Sequence, residues 1–183
     1  MQLDHATGWC RGVRHCPSPN FNQRPDGEIS LLVIHNISLP PGCFGTGKVQ
    51  QFFQNALPTA EHPFFEEIAL LQVSAHFLIE RDGSVTQFVS CLDRAWHAGV
   101  SRYADREGCN DFSLGIELEG TDDAPFSEAQ YDGLIRLCQL LQQAYPAITP
   151  DRVCGHSDIA PGRKTDPGPA FEWQRLRAAS IVA

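Results

Sequence analysis

Basic residues are scarce in this chain, and long apolar runs are missing. Lys and Arg number 14 against 22 Asp and Glu, a formal charge of −8 with histidine neutral. A nucleic-acid binder normally shows a basic footprint, so nucleic acid is not an expected partner. No stretch approaches the roughly 18 apolar residues of a membrane-spanning helix, so no membrane partner is expected either. The N-terminus shows neither the basic segment nor the apolar segment of a secretory leader, and the expected location is the cytoplasm. Cys-x-x-Cys pairs are also missing. The cysteines at 10, 16, 43, 91, 109, 138 and 154 are odd in number and irregular in spacing. They argue against a disulfide framework and fit reduced thiols.

What is present is a 183-residue chain, 42% hydrophobic and 20% charged. That balance is ordinary for a globular protein, and the length suits one domain over residues 1–183. Residues 1–29, rich in Pro, Asn, Asp and Gly, read as an ordered wrap. Ser30-Leu31-Leu32-Val33-Ile34 is a short continuous apolar run, suited to a strand covered on both faces and ending at His35-Asn36. Val49, Phe52, Phe53, Ala56 and Leu57 repeat with helical period up to Pro58. From Val73 to Ile79 the pattern alternates, Asp82-Gly83 supplies a tight turn, and residues 85–89 return as a hairpin partner. Residues 112–118 alternate again, with Leu114, Ile116 and Leu118 on one face and Gly115, Glu117 and Glu119 on the other. Ser127 with Gln130 forms a capping box that opens a helix through Tyr145. A last short helix is expected over residues 171–178. The expected fold is α/β (mixed): a single mixed sheet flanked by helices.

Three residues suit a metal. His35 ends a buried-type strand, His156 follows a second strand-like segment, and Asp166 lies ten residues on in a Pro/Gly-rich loop. Two imidazoles and a carboxylate make a three-ligand zinc set with a fourth position left for water. On spacing alone, ordinary hydrogen-bonded histidines fit better, because no HExxH or HxxxH occurs. Glu117 puts a charge on a strand whose other face is apolar. It is readable as a general base near such a site or as the wet side of an edge strand. Lys164, two residues before Asp166, could face an oxyanion or simply solvent. Trp96-His97 could grip a sugar or a peptide, or pack at the core edge. His76 reads as a buried, hydrogen-bonded histidine before it reads as a ligand.

Six blocks then occur in order: Val33-Ile34-His35-Asn36, Ser74-Ala75-His76-Phe77-Leu78-Ile79, Ala95-Trp96-His97-Ala98-Gly99, Gly115-Ile116-Glu117-Leu118-Glu119-Gly120-Thr121, Gly155-His156, and Arg163-Lys164-Thr165-Asp166-Pro167-Gly168. Together they resemble the zinc-dependent N-acetylmuramoyl-L-alanine amidases, from about Gly8 to Arg177, and most closely the cytoplasmic branch that acts on 1,6-anhydro-muropeptides. The resemblance implies one Zn2+ per chain held by His35, His156 and Asp166, with Glu117 and Lys164 as catalytic residues. It implies substrate contacts at Asn36, Trp96, His97 and Ala160. It also implies a small anhydro-muropeptide substrate cut between the lactyl group and L-alanine, without an obligate protein partner. The implied role is peptidoglycan recycling, which indirectly limits β-lactamase induction. Departures from the relatives' pattern stand at Phe64, Ser157, Gly162 and Gly108, the last with Arg106 close by. Other classes compatible with the blocks are a non-catalytic muropeptide-binding module, a structural zinc protein, and a broader amidase acting on intact peptidoglycan.

Overall fold

The computed structural model describes residues 1–179. Its first strands are β1 (Gln2–Asp4), β2 (Trp9–Arg11), β3 (Arg14–His15), β4 (Phe21–Gln23) and β5 (Leu31–Ile37). Helices α1 (Lys48–Phe53) and α2 (Pro63–Ile68) follow, then β6 (Phe77–Ile79), β7 (Val85–Gln87), β8 (Asp93–Ala95), β9 (Arg102–Tyr103), β10 (Arg106–Glu107) and β11 (Ser113–Glu119). The chain continues through α3 (Glu128–Ala144), β12 (Val153–Gly155), α4 (His156–Ile159) and α5 (Trp173–Ala179).

The main sheet runs in the order β12-β5-β11-β6-β7-β3. Its first four strands are parallel, β7 turns back antiparallel to β6, and β3 joins β7 in parallel. It is a mixed sheet with helices on its faces, as expected. The pleat sorts each strand's residues by parity. Leu32 and Ile34 of β5 and Leu114, Ile116 and Leu118 of β11 pack with Tyr131, Leu134, Leu137 and Leu141 of α3. Leu31 and Val33 face the other way, against Ala98, Phe112 and Ile159. Leu78 turns to that second side too, toward Phe53, Phe65 and Phe88. Because His35 and Glu117 hold odd positions like Leu31 and Val33, both leave the sheet on the face away from α3.

Local chemistry accounts for most boundaries. The capping box is present: Ser127 Oγ accepts from Gln130 N at 3.1 Å and Gln130 Oε1 accepts from Ser127 N at 3.1 Å. Gly83, at φ 82°, turns the β6–β7 hairpin. Several expectations shift. Strand β5 runs on through His35 and Asn36 to Ile37. The strand expected from Val73 begins only at Phe77, because Ser74 N donates to the Trp96 carbonyl rather than to the sheet. Helix α1 stops at Phe53 instead of reaching Leu57, and Asn55 adopts φ 58° just beyond it. Helix α5 starts two residues late, since Phe171 is drawn into the core beside Tyr131. The N-terminal wrap holds four short strands, one of which extends the main sheet. All seven cysteines are free.

Candidate metal centre

Three neighbouring parallel strands deliver the site. Ligand sites on parallel sheets sit beyond the carboxyl ends of the strands, and this one follows that geometry. His35 is the fifth of seven residues in β5, and Glu117 is the fifth of seven in β11. The two are direct register partners. His156 comes immediately after β12. Asp166 arrives on the loop after α4, where its carbonyl accepts from Ser157 N at 2.9 Å.

The structure brings His35, His156 and Asp166 together. Nδ1 of His35 lies 3.0 Å from Nδ1 of His156 and 3.0 Å from Asp166 Oδ2, and His156 Nδ1 is 3.1 Å from the same oxygen. Tetrahedral zinc with bonds of about 2.0–2.1 Å would place its donor atoms roughly 3.3 Å apart. The observed triangle is close to that size. The hydrogen-bond partners also suit a cation. His156 Nε2 is 3.0 Å from the Ala98 carbonyl, which only accepts, and 3.3 Å from Arg163 Nη2, which itself donates to that carbonyl at 2.6 Å; a proton on Nε2 satisfies the carbonyl contact. His35 Nε2 is 2.9 Å from His97 Nδ1, and His97 Nε2 is 3.1 Å from Ser113 Oγ. With protons on the outer nitrogens, both inner nitrogens present lone pairs to one point beside a carboxylate. That arrangement repels itself unless a cation shares it.

The electrostatics agree with a ligand set in its binding form. Burial pushes His35 down to about 4, keeping the imidazole neutral. Burial would raise Asp166, but its contacts with His156 and His35 outweigh this and hold the carboxylate ionised. Neutral imidazole and ionised carboxylate are the states a metal requires. Glu117 behaves oppositely. Burial, reinforced by the charge of Asp166 and opposed by Lys164, pushes its carboxyl well above the usual range. Its Oε2 is buried with no hydrogen-bond partner among the described residues. An unpartnered buried carboxylate oxygen is costly and asks for a chemical reason.

His35, Glu117, His156 and Asp166 line a cavity of about 360 Å³, together with Asn36, Phe64, Trp96, His97 and Lys164. Asn36 Nδ2 donates to Asp122 Oδ1 at 2.7 Å and to the Pro167 carbonyl at 3.0 Å. Trp96 Nε1 donates to Asn22 Oδ1 at 2.6 Å, and the residue lines the cavity. Ala160 is placed apart. It is buried at the end of α4, its carbonyl accepts from Arg163 N and Lys164 N, and its side chain borders a neighbouring hollow. Arg106, near the Gly108 departure, is turned away onto Glu28 and the Phe112 ring. His76 is fully buried, as expected, with Nδ1 accepting from Gly115 N at 3.0 Å.

Residues 25–169 match the N-acetylmuramoyl-L-alanine amidase family. The chain belongs to that family. Among its amidase relatives, the 1,6-anhydro-N-acetylmuramyl-L-alanine amidase AmpD of Enterobacter cloacae is 56% identical over 172 residues, covering 93% of this chain and 91% of the relative. A crystal structure of a selenomethionine AmpD derivative superposes with a TM-score of 0.95 at 52% identity, over 99% of this chain and 100% of the other. The amidase-fold protein AmpDh3 of Pseudomonas aeruginosa, solved in complex with anhydromuramic pentapeptide, superposes with a TM-score of 0.61 at 33% identity, over 84% of this chain and 60% of that one.

Three residues that brace the metal-candidate cluster from behind carry no local sequence signal. Asn110 accepts on Oδ1 from His97 N at 3.1 Å and Ala98 N at 2.8 Å. Ser113 braces His97. Arg24 is a buried guanidinium that reaches the carbonyls of Asn110, Asp111 and Ser113 at 2.8–3.2 Å, that of Cys91 at 3.4 Å, and Nε2 of His76 at 3.1 Å. The one available hint was Gly115, a glycine inside a strand, which marks a close approach by something else.

Proposed function

We propose that this chain is a zinc-dependent amidase of 1,6-anhydro-muropeptides, cutting the amide between the lactyl group of anhydro-muramic acid and L-alanine. The observation that carries this reading is the triangle of His35, His156 and Asp166 donor atoms beside the unpartnered Oε2 of Glu117. The choice of substrate rests on the high identity to enzymes named for that activity, and on a relative solved with an anhydromuramic peptide bound. The ion is Zn2+, one per chain, because two imidazoles and one carboxylate form an open three-ligand set. When bound there, zinc polarises a carbonyl and brings the pKa of water toward neutrality.

The chain's own groups do the rest. Glu117 takes a proton from the attacking water on Oε2 and returns it to the nitrogen of L-alanine as the carbon–nitrogen bond breaks, so that an amine leaves rather than an amide anion. The carboxyl is set between these two duties: burial favours its acid form, and a cation on the neighbouring trio favours its carboxylate. Lys164, at the mouth of the cavity, presents an ammonium to the carbonyl oxygen as charge grows there. Trp96 offers its indole to the sugar and Asn36 its amide oxygen to the peptide, while Ala160, which borders the neighbouring hollow, contributes only through its carbonyl, which accepts from Lys164 N. His97 spends both ring nitrogens on His35 and Ser113, so only its ring edge is left for substrate. Release of the stem peptide from such fragments serves peptidoglycan recycling in the cytoplasm, and removes the muropeptides that induce β-lactamase.

The decisive experiment is mass spectrometry of the products from an anhydro-muramyl peptide, run with zinc and with a chelator. The expected products are the anhydro-sugar acid and a peptide beginning with L-alanine, lost with chelator and regained with zinc. An intact substrate in the presence of zinc, or cleavage indifferent to chelation, would refute the reading.

A further inference from the structure

Both candidate metal histidines lean from behind on one dipeptide. His35 Nε2 lies 2.9 Å from Nδ1 of His97, and His156 Nε2 lies 3.0 Å from the carbonyl of Ala98, with Arg163 Nη2 3.3 Å from the same nitrogen. Residues 97 and 98 follow β8 and belong to no strand themselves. Their two consecutive N–H groups converge on one atom, Oδ1 of Asn110, at 3.1 and 2.8 Å. Asn110 is itself buried, and the Arg24 guanidinium grips the carbonyl of residue 110 at 3.1 Å and that of residue 113 at 2.8 Å. Ser113 Oγ lies 3.1 Å from Nε2, the far nitrogen of His97.

We propose that Asn110 is a positioning residue for the metal centre, setting the orientation of both histidine ligands at once by pinning the 97–98 dipeptide on its side-chain oxygen. The inference rests on the metal reading above and goes beyond it, since Asn110 touches neither the donor atoms nor the cavity's reactive carboxylate. The physical reason is economy of reference points. Two rings on different elements, one on β5 and one opening α4, keep a fixed mutual angle only if their outer partners are fixed relative to each other, and here those partners are adjacent residues. Groups that orient metal-bound histidines typically change metal affinity by about 10–100-fold when removed. Most such groups serve one ligand, whereas Asn110 serves two.

The test is metal binding rather than turnover. Zn2+ affinity is measured by competition with a chromophoric chelator, and geometry by the visible bands of the Co2+-substituted chain. Asn110→Ala should weaken Zn2+ binding about 10–100-fold and shift the Co2+ bands. Asn110→Asp, which keeps an oxygen for both N–H groups, should restore most of the affinity and the bands. If Asn110→Ala does not fold, Ser113→Ala, which frees only the His97 side, should weaken binding by less and still shift the bands. Wild-type affinity together with unchanged Co2+ bands in the folded variant would overturn the proposal. A wild-type chain that takes up neither ion would instead sink the metal reading on which it stands.

Discussion

The ring of His97 fills the space that a side chain on Gly115 would occupy: a Cβ built there would lie 2.6 Å from both Cγ and Nδ1 of the imidazole. The missing side chain in the middle of β11 is therefore what lets the ring reach His35. Gly115→Ala should push His97 off its bonds to His35 and Ser113. Overpacking of this kind costs roughly 1–3 kcal/mol. Thermal unfolding should show that loss, and a zinc titration should show weakened binding in the same variant.

Glu117→Gln separates holding the metal from moving the proton. The amide has nearly the same shape and cannot accept and return the proton at that position. Zinc affinity should stay near the wild-type value while turnover falls by about 10²–10⁴, the usual contribution of a positioned acid–base group. Parallel loss of metal and activity would show that Glu117 acts as a ligand.

The same variant carries a pH signature in the metal-free chain. The folded-state pKa of Glu117 is raised by burial. Between its unfolded value and that raised value the folded chain binds more protons, so this group's contribution to stability falls as pH rises through the window. His35, depressed to about 4, works in the opposite sense and gains stability as pH rises toward its unfolded value. Comparing urea unfolding of wild type and Glu117→Gln from about pH 5 upward isolates the carboxyl, whose ordinary pKa is about 4.3. The variant's relative stability should grow with pH, and a flat difference would show that Glu117 ionises normally.

Removal of the ion or of Asp166 should reach the fold as well as the activity. Zinc present at about 100 times its Kd should add about 2.7 kcal/mol to unfolding, by mass action alone. Asp166→Ala should lose more affinity than the 10–100-fold that follows loss of a supporting hydrogen bond. Its unfolding midpoint should then respond little to zinc, which differential scanning calorimetry can read.

Arg24→Lys tests the brace behind the site. A lysine cannot spread donors over the carbonyls at 91, 110, 111 and 113 that the guanidinium reaches. Leaving buried carbonyls unpaired costs about 1–3 kcal/mol each, so the chemical-denaturation midpoint should drop clearly.

Much of this was legible before the structure. The apolar run at residues 31–34 and the alternation at 112–118 become the paired strands β5 and β11, because burial and the pleat act on neighbouring residues and leave a periodic trace. The Ser127–Gln130 cap is equally local. The strand beyond His35 was missed because His35 and Asn36 break the apolar run for the sake of the site. Helix α1 ended early because Asn55 takes a left-handed conformation that the helical periodicity does not reveal. Asn110 and Arg24 were invisible for another reason. Most of their partners are backbone groups between 12 and 89 residues away, and a backbone amide or carbonyl has no letter of its own in the sequence.

The short strand β12 has one neighbour in the main sheet, β5, and leads directly into His156, whose ring meets His35 of that neighbour across 121 residues of chain. A cation shared by these two rings would fasten the sheet's outermost strand to the one inside it. Loss of the ion would then be felt first as fraying along that margin, where an unzipped β5 offers its backbone to any passing strand.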